Sequence, residues 1–221
     1  MLRRFIQSVE VFPPADAFSS EERKALRANF HLMAARRMSA LPLMLGQVSQ
    51  QASISPNDEI VFASEFCGTQ ALEAFLKSFP QASPTGFQNS TQPGAASLVL
   101  VARKQPVSGF TPVTGGVETV ERALLLSLCS DNETIHFWGG EEKGNWMPEK
   151  GLAAPKNFAF YLELSKSDTD ALGTLTLTPE PARHTPLVET PSTEAFTRAM
   201  MDQLSIHFAS ESGGFIEISW R

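Results

Sequence analysis

Cys67 is the one candidate nucleophile in this sequence, and Cys129 is the only other cysteine. Cys67 follows the apolar run "EIVFAS" and precedes a segment with helical periodicity. A helix N-terminus can lower the pKa of a thiol and so raise its reactivity. Free cysteine is also among the most commonly buried residue types, and a buried thiol is inert. No histidine lies near Cys67 in the sequence, so both interpretations of this residue stay open.

The histidines do not have the spacing of a metal site. No two of them lie three or four residues apart, and neither cysteine lies beside another ligand. We therefore expect no metal and no cofactor, since the sequence also contains no Walker, GxGxxG or GxSxG pattern. We interpret the four histidines as surface or core residues; they are His31, His136, His184 and His207.

The stretch "SGFTPVTGGVETVERALLL" (residues 108–126) has the outline of a nucleophile elbow. A β-like run ends in Gly115 and Gly116, and a helix-forming segment begins at once. In such an elbow a strand passes sharply into a helix and presents one reactive side chain. This turn contains neither serine nor cysteine, so the sequence predicts the shape of an elbow without its chemistry.

Composition restricts the class of protein. The 221 residues are 42% hydrophobic, enough for a sizeable core in one domain. A formal net charge of -6, without a basic tract, argues against nucleic-acid binding, and the apolar runs are too short to span a membrane. The N-terminal apolar stretch is broken by Gln7 and Glu10, so we do not interpret it as a signal peptide. With two cysteines we expect no disulfide framework and a cytoplasmic protein.

Strands and helices alternate over the first 142 residues. This predicts an α/β fold, a layered mixed β-sheet with helices on both faces. Ser19 followed by Glu22 has the spacing of a capping box at a helix start. Residues 83–102 read as a loop that becomes a helix of small residues. Further on we expect an antiparallel hairpin (157–165 with 171–179), a helix (192–208) behind an N1 proline, Pro191, and a last strand (213–221). We expect one domain, 1–221, with a C-terminal extension at about 180–221.

Several phrases, in order, resemble the N-terminal half of a β-ketoacyl synthase, a member of the thiolase-like family. The similarity spans residues 36–165. "RRMSALPLML" resembles an early arginine-rich helix, "DEIVFASEF" a strand that opens the core, and "SPTGFQNSTQPGAASL" the segment before the interface helix. "SGFTPVTGGVETVERAL" falls on the elbow, where active members have a Thr-Ala-Cys-Ser-Ser type sequence. The resemblance implies half of a thiolase-like fold.

The departures from the family imply that this chain does not catalyse condensation alone. Gly116 takes the place of the nucleophilic cysteine, or Gly115 does if the alignment shifts by one residue. The family's catalytic histidines lie in its C-terminal half, and His184 and His207 do not match their motifs. Glycine supplies no thiolate to carry an acyl chain.

The resemblance also implies a partner. Thiolase-like proteins work as dimers that pair through the strand leading into the elbow. Inactive subunits of this kind, chain-length factors, pair with ketosynthases in type II polyketide systems, and small forms occur in aryl polyene pathways. We therefore expect a heterodimer with a full-length β-ketoacyl synthase, which meets the acyl-carrier protein, so that this chain meets it only indirectly. The expected tunnel and interface residues are Phe87, Ser90, Thr91, Ala95, Ala96, Phe110, Gly115 and Gly116.

Two other functions remain open at the level of sequence. One is a thiol-dependent acyl-transfer enzyme that uses Cys67. The other is a self-associating scaffold protein that handles no acyl chain.

Overall fold

A computed structural model of the protein describes residues 1–91, 93–146, 148–180 and 187–221. Within these residues the chain forms one nine-stranded sheet and eight α-helices. The strands are Leu2–Ala15 (β1), Glu59–Ala63 (β2), Gly109–Val113 (β3), Thr134–Glu141 (β4), Asn157–Ser165 (β5), Gly173–Thr178 (β6), Leu187–Val188 (β7), Ile206–Ala209 (β8) and Phe215–Trp220 (β9). The helices are Ser20–Ala28 (α1), Leu32–Ala35 (α2), Ala40–Val48 (α3), Thr69–Lys77 (α4), Pro84–Ser90 (α5), Gly94–Arg103 (α6), Thr119–Cys129 (α7) and Thr193–Met201 (α8).

The sheet is mixed, as the sequence predicts. Its strand order is β3-β2-β4-β5-β1-β6-β9-β8-β7. Strands β3, β2 and β4 are parallel, and β5, β1, β6, β9 and β8 each run antiparallel to the strand before them in that order. The parallel strands therefore end at a common edge of the sheet, and the loops that follow them lie together there. In this order β3 forms one edge of the described sheet and β7 the other.

Alternate residues of the parallel strands point to two separate cores. Val61 and Ala63 face α7 and α8, whose buried side chains include Leu124 and Phe196. On the other face of β2, Ile60 and Phe62 pack with residues of α3 and α6. The prediction of helices on both faces is confirmed.

The hairpin predicted from residues 157–165 and 171–179 is wrong. Both strands form, as β5 and β6, but β1 lies between them and pairs antiparallel with each. The pattern of apolar residues predicts that a segment is a strand, but it does not predict which strand pairs with it. Here the strand between β5 and β6 comes from the N-terminus of the chain.

Two helix boundaries also differ from prediction. The capping box of α1 is present, with Ser19 Oγ accepting from Glu22 N. Helix α8, however, begins behind Ser192, whose Oγ accepts from Ala195 N at 3.2 Å, so Pro191 is not its N1 residue. The helix stops before Gln203, which has a φ of 49°, and the residues expected to complete it form β8. Helix α5 was expected as loop, since Gly, Asn and Ser are poor helix formers.

No helix in the described part of the chain combines the length and the apolar character needed to cross a bilayer. The described residues also contain no group of three or more histidine, cysteine or carboxylate side chains that could hold a metal ion.

Candidate functional site

The segment between β3 and α7 forms a sharp strand-to-helix turn. Strand β3 ends at Val113, the chain passes through Thr114 and Gly115, and a 3₁₀ turn, Gly116–Glu118, leads directly into α7. Gly115 N donates to the buried Thr119 Oγ1 at 2.8 Å, which fixes the turn against the first residue of the helix. The strand-to-helix elbow predicted from the sequence is therefore present in the structure.

Gly116 has the backbone of an elbow nucleophile and none of its chemistry. Its φ is +62°, in the left-handed region that costs an L-residue energy and that elbows impose at their reactive position. A Cβ at Gly116 would meet no atom within 4 Å, so the space that a side chain would fill is open. Gly115, with a φ of -172°, is ordinary extended backbone.

Helix α7 holds the elbow rigidly because both of its ends are anchored. Arg4 of β1, 1% exposed, donates to Ser127 O, Ser130 O and Glu133 O at 2.7, 2.6 and 3.1 Å. Ser127 O and Ser130 O lie at the C-terminal end of the helix, where a cation also interacts favourably with the negative end of the helix dipole, and Glu133 O lies just before β4. No local sequence pattern indicates that Arg4 is a buried cap.

Each described histidine either lies within a strand or caps a helix. His136 lies within β4, with Nε2 2.9 Å from Asp58 Oδ2 and Nδ1 3.0 Å from the Tyr161 hydroxyl. His31 caps α2, and the buried His207 lies in β8. His184 is outside the described residues. At the elbow itself Glu118 pairs with Arg122, and the Glu211 side chain lies beside Glu118.

Cys67 lies close to the elbow in the sheet but is not activated. It follows β2, the strand beside β3, and its N–H donates to Ser64 Oγ at 2.8 Å. The side chain is buried, and this burial, to which the Glu141 carboxyl adds where it is ionised, raises the pKa of its thiol to about 12. At neutral pH the thiol stays protonated, so the structure argues against a Cys67 enzyme.

We expect iodoacetamide to distinguish the two cysteines of the native protein. At pH 7.5 Cys129, which is exposed, should be alkylated, whereas Cys67 should react only after denaturation. Peptide mass spectrometry of native and unfolded samples measures this directly. Rapid native labelling of Cys67 would show an accessible thiolate and would reinstate the thiol-enzyme hypothesis.

Two adjacent glutamates, Glu141 and Glu142, are buried at the edge where the parallel strands end. Glu142 accepts from Leu41 N at 3.0 Å and from Gln70 N at 2.6 Å, next to the starts of α3 and α4. Glu141 accepts from Ser64 Oγ at 2.9 Å and Phe66 N at 3.1 Å. These carboxyl groups tie the loop after β2 and two helix N-termini to β4.

Glu141 should make stability depend on pH. Burial, which outweighs its hydrogen bonds, raises the pKa of its carboxyl from 4.5 to about 8. The folded protein therefore keeps a proton that the unfolded chain releases, so the free energy of unfolding falls as pH rises from about 5 to 8. We expect urea denaturation to show a loss of more than about 1.4 kcal/mol, the equivalent of one pKa unit. Glu141→Gln should flatten this slope; an unchanged slope would assign it elsewhere.

Three of the predicted tunnel residues lie together on or just after α5, at the surface. Phe87, on α5, is 55% exposed, and its ring centroid lies 5.5 Å from that of Phe75. Ser90, on the same helix, and Thr91, just after it, return their hydroxyls to the carbonyls of Phe87 and Gln88 at 2.8 and 2.9 Å. The aromatic surface here is available to a partner.

Two others are inside the protein. Ala95 is 5% exposed and Ala96 0%, both within the core that α6 shares with α3 and β2. In this conformation a partner cannot reach them, so a charge placed there would disturb the fold before it disturbed an interface. Phe110, in β3, is partly buried against the same core. Small size at positions 95 and 96 serves packing within the chain.

No protein-family model and no curated protein sequence matches this chain. Solved structures do match it. A chain from the complex of a ketosynthase with its chain length factor from Xenorhabdus doucetiae aligns with a TM-score of 0.68 at 17% identity, covering 99% of this chain and 100% of that one. A chain from the ishigamide ketosynthase/chain length factor aligns with a TM-score of 0.65 at 9% identity, covering 99% and 98%.

The chain has a thiolase-like fold. The similarity extends over nearly all of its length, so the architecture predicted from residues 36–165 applies also to the C-terminal strands. In this thiolase-like chain the turn with the elbow geometry presents Gly116, and the three described histidines lie in other elements.

Proposed function

We propose that this chain is a non-catalytic subunit that pairs with an active ketosynthase in the manner of a chain-length factor. The observation that carries the proposal is Gly116, which has the φ of an elbow nucleophile, open space above it and no side chain. Condensation needs a thiolate at this position and acid–base groups around it. This chain keeps the backbone shape of the elbow, and the ketosynthase partner supplies the thiolate and the acid–base groups.

The edge of the sheet supports pairing with a second subunit. Strand β3 pairs with β2 on one side, and in the described sheet its other side is open. An open edge strand invites pairing with another chain. Pro112 lies in β3 and has no N–H, so it limits how many hydrogen bonds a partner strand can form here. Side chains around the elbow must therefore contribute to the interface, and the exposed Val117 is the first of them.

A role in setting product length belongs to the same proposal. Phe87 is large, apolar and exposed on α5, so a partner could enclose it as part of an acyl tunnel. The finer assignment, to a polyketide pathway of the aryl polyene type, rests on the sequence resemblance alone. The carrier protein would load the ketosynthase, and this chain would bound the space into which the product grows.

Phe87→Ala should lengthen the product of the reconstituted pair without stopping condensation. The substitution frees space for several carbons, and each further buried CH₂ of a growing chain is worth about 0.8 kcal/mol. The partner's thiolate is untouched, so we expect the rate to change less than the length distribution. Mass spectrometry of the products reads both. Phe79→Ala, at an exposed phenylalanine outside the predicted tunnel set, is the control; equal profiles for both variants and wild type would remove Phe87 from the tunnel.

Co-expression with a full-length ketosynthase tests the pairing. A tag on this chain should retain the ketosynthase in a one-to-one complex that survives size-exclusion chromatography. A homo-oligomer of this chain, with no ketosynthase bound, would instead support the self-associating scaffold.

A further inference from the structure

Four titratable side chains form one hydrogen-bonded row at the end of the sheet opposite the elbow. Asp58, just before β2, has Oδ2 2.9 Å from His136 Nε2, and His136 Nδ1 lies 3.0 Å from the Tyr161 hydroxyl. That hydroxyl lies 3.1 Å from Glu163 Oε2, and Glu163 is also directly opposite His136 in the register of β4 and β5. The ring of His136 is fully buried and Tyr161 nearly so. The proposed function makes no use of this row.

The hydrogen-bond donors in the row determine the charge of the His136 ring. A carboxylate only accepts, so the contact with Asp58 needs a proton on Nε2, and the contact with Glu163 needs the proton of the Tyr161 hydroxyl. Burial and the negative charge of Glu163 raise the pKa of Tyr161, so its hydroxyl keeps that proton. Nδ1 must then donate to the hydroxyl oxygen. With both ring protons present all three contacts are satisfied, whereas either neutral form of the ring leaves two acceptors facing each other.

The charges on this face of the sheet favour a cation at the ring. Asp58 and Glu163 belong to the row, and Glu10 of β1 lies beside it, opposite Tyr161 in the register. Helix α3, packed on the same face, has no charged residue, and the single cation of α6, Arg103, donates to carbonyls at the end of α3. Burial alone would expel a proton from the ring, and the neighbouring carboxylates oppose this.

Asp58 connects the His136 ring to the start of the edge strand β3. Its Oδ2 also accepts from Ser55 N at 2.7 Å, which closes the turn before β2. Its carbonyl oxygen accepts from Ser108 N and Ser108 Oγ at 2.8 and 2.9 Å, immediately before β3 begins. A charge-assisted hydrogen bond is roughly twice as strong as a neutral one. The ring proton therefore fixes Asp58, and Asp58 fixes both segments.

We propose that His136 is a buried imidazolium whose charge holds Asp58 and, through Asp58, the start of β3, so that the row acts as a pH-sensitive latch at this edge of the sheet. When the ring loses a proton, Asp58 faces a neutral ring, and either its own contact or that between Tyr161 and Glu163 is lost. The turn at Ser55 and the start of β3 then open more often. The latch is a property of this chain alone and does not depend on a ketosynthase partner.

The latch also makes stability fall as pH rises. The folded chain keeps a proton on His136 that an unfolded histidine releases at about pH 6.5. Its stabilisation is fully present below about that pH and is lost as pH rises through the value at which the folded ring releases its proton. Glu141 acts in the same direction, so a stability curve does not separate the two residues. The test therefore measures the ring itself.

NMR of protein labelled with nitrogen-15 histidine tests the charge of the ring. At about pH 7.5 both ring nitrogens of His136, assigned by through-bond correlation to the backbone, should give the signals of protonated nitrogens. His31 is the internal control, because it is exposed and its Nδ1 accepts from Met33 N, so one of its nitrogens should carry no proton. One unprotonated nitrogen in the His136 ring under the same conditions would overturn the proposal.

A matched pair of variants tests whether the row holds the cation. Glu163→Gln removes the charge beside the ring, and the control, Glu10→Gln, removes an exposed charge on the same face of the sheet. We expect the ring to release its proton at a pH at least about one unit lower in Glu163→Gln, and within about half a unit of wild type in Glu10→Gln. Equal midpoints for the two variants would contradict a cation held by these side chains.

Hydrogen exchange, at one pH between the two midpoints, tests the latch. The amides of Ser55 and Ser108 should exchange at least about tenfold faster in Glu163→Gln than in Glu10→Gln, whereas amides of β9, on the far side of the sheet, should exchange equally in both. Equal exchange at Ser108 would show that the ring proton does not hold the start of β3. If Glu163→Gln does not fold, Tyr161→Phe, which removes the acceptor for Nδ1–H, takes its place with the same expected results.

Discussion

Purified alone and incubated with acylated carrier protein, the chain should gain no acyl group and form no condensation product. Gly116 offers no nucleophile, and the buried Cys67 thiol, with its pKa raised to about 12, offers no thiolate. Gly116→Cys should not restore condensation either. The new side chain would fit the open space, but the left-handed φ costs about 1–3 kcal/mol and no acid–base partner faces it among the described histidines.

Intact-mass spectrometry after incubation measures acyl transfer, and a malonyl condensation assay measures turnover. The ketosynthase partner, treated in the same way, is the positive control and should gain one acyl group. A stable adduct on Cys67 or Cys129, or turnover by the Gly116→Cys variant without a partner, would contradict a non-catalytic subunit.

Val117→Glu should abolish copurification with the ketosynthase. Val117 follows Gly116 and is 68% exposed in the chain by itself, so its replacement should leave the fold intact. If the elbow lies in the interface, the new carboxylate is buried there without a counter-charge, at a cost of about 3–5 kcal/mol, or more than a hundredfold in affinity.

Leu204→Glu is the matched control for this substitution. Leu204 is 55% exposed on the loop between α8 and β8 and does not line the cleft that contains Val117. It should bind the ketosynthase as wild type does, and both variants should melt near the wild-type temperature. Wild-type retention of the ketosynthase by a folded Val117→Glu variant would place the interface elsewhere.

Sequence patterns predicted which segments form strands and helices better than they predicted which strands pair with each other. The capping box at Ser19 and the strand–glycine–helix order at the elbow are local features, and both were confirmed. The insertion of β1 between β5 and β6 depends on contacts more than 140 residues apart in the chain, and no local pattern encodes them. The end of α8 was missed because the turn at Gln203 gives an ordinary helix former a positive φ.

The sequence predicted the shape of the candidate site but not the buried side chains that hold it in place. Gly116 could be found because two glycines between a strand and a helix leave a recognisable gap. The burial of Glu141 and Glu142 could not, since two adjacent acidic residues beside glycines are typical of a solvated loop. Nor could the pattern of small residues show whether Ala95 and Ala96 face a partner or the core of their own chain, because close packing demands small side chains in either place.

An omission assay tests the central claim most directly. Ketosynthase, this chain and malonylated carrier protein are combined with a starter acyl group, and each protein is left out in turn. We expect elongated product from the complete mixture, at most a small fraction of it from the ketosynthase without this chain, and none from this chain without the ketosynthase. Undiminished elongation by the ketosynthase alone, with the same product lengths, would contradict the assignment of this chain as its partner subunit.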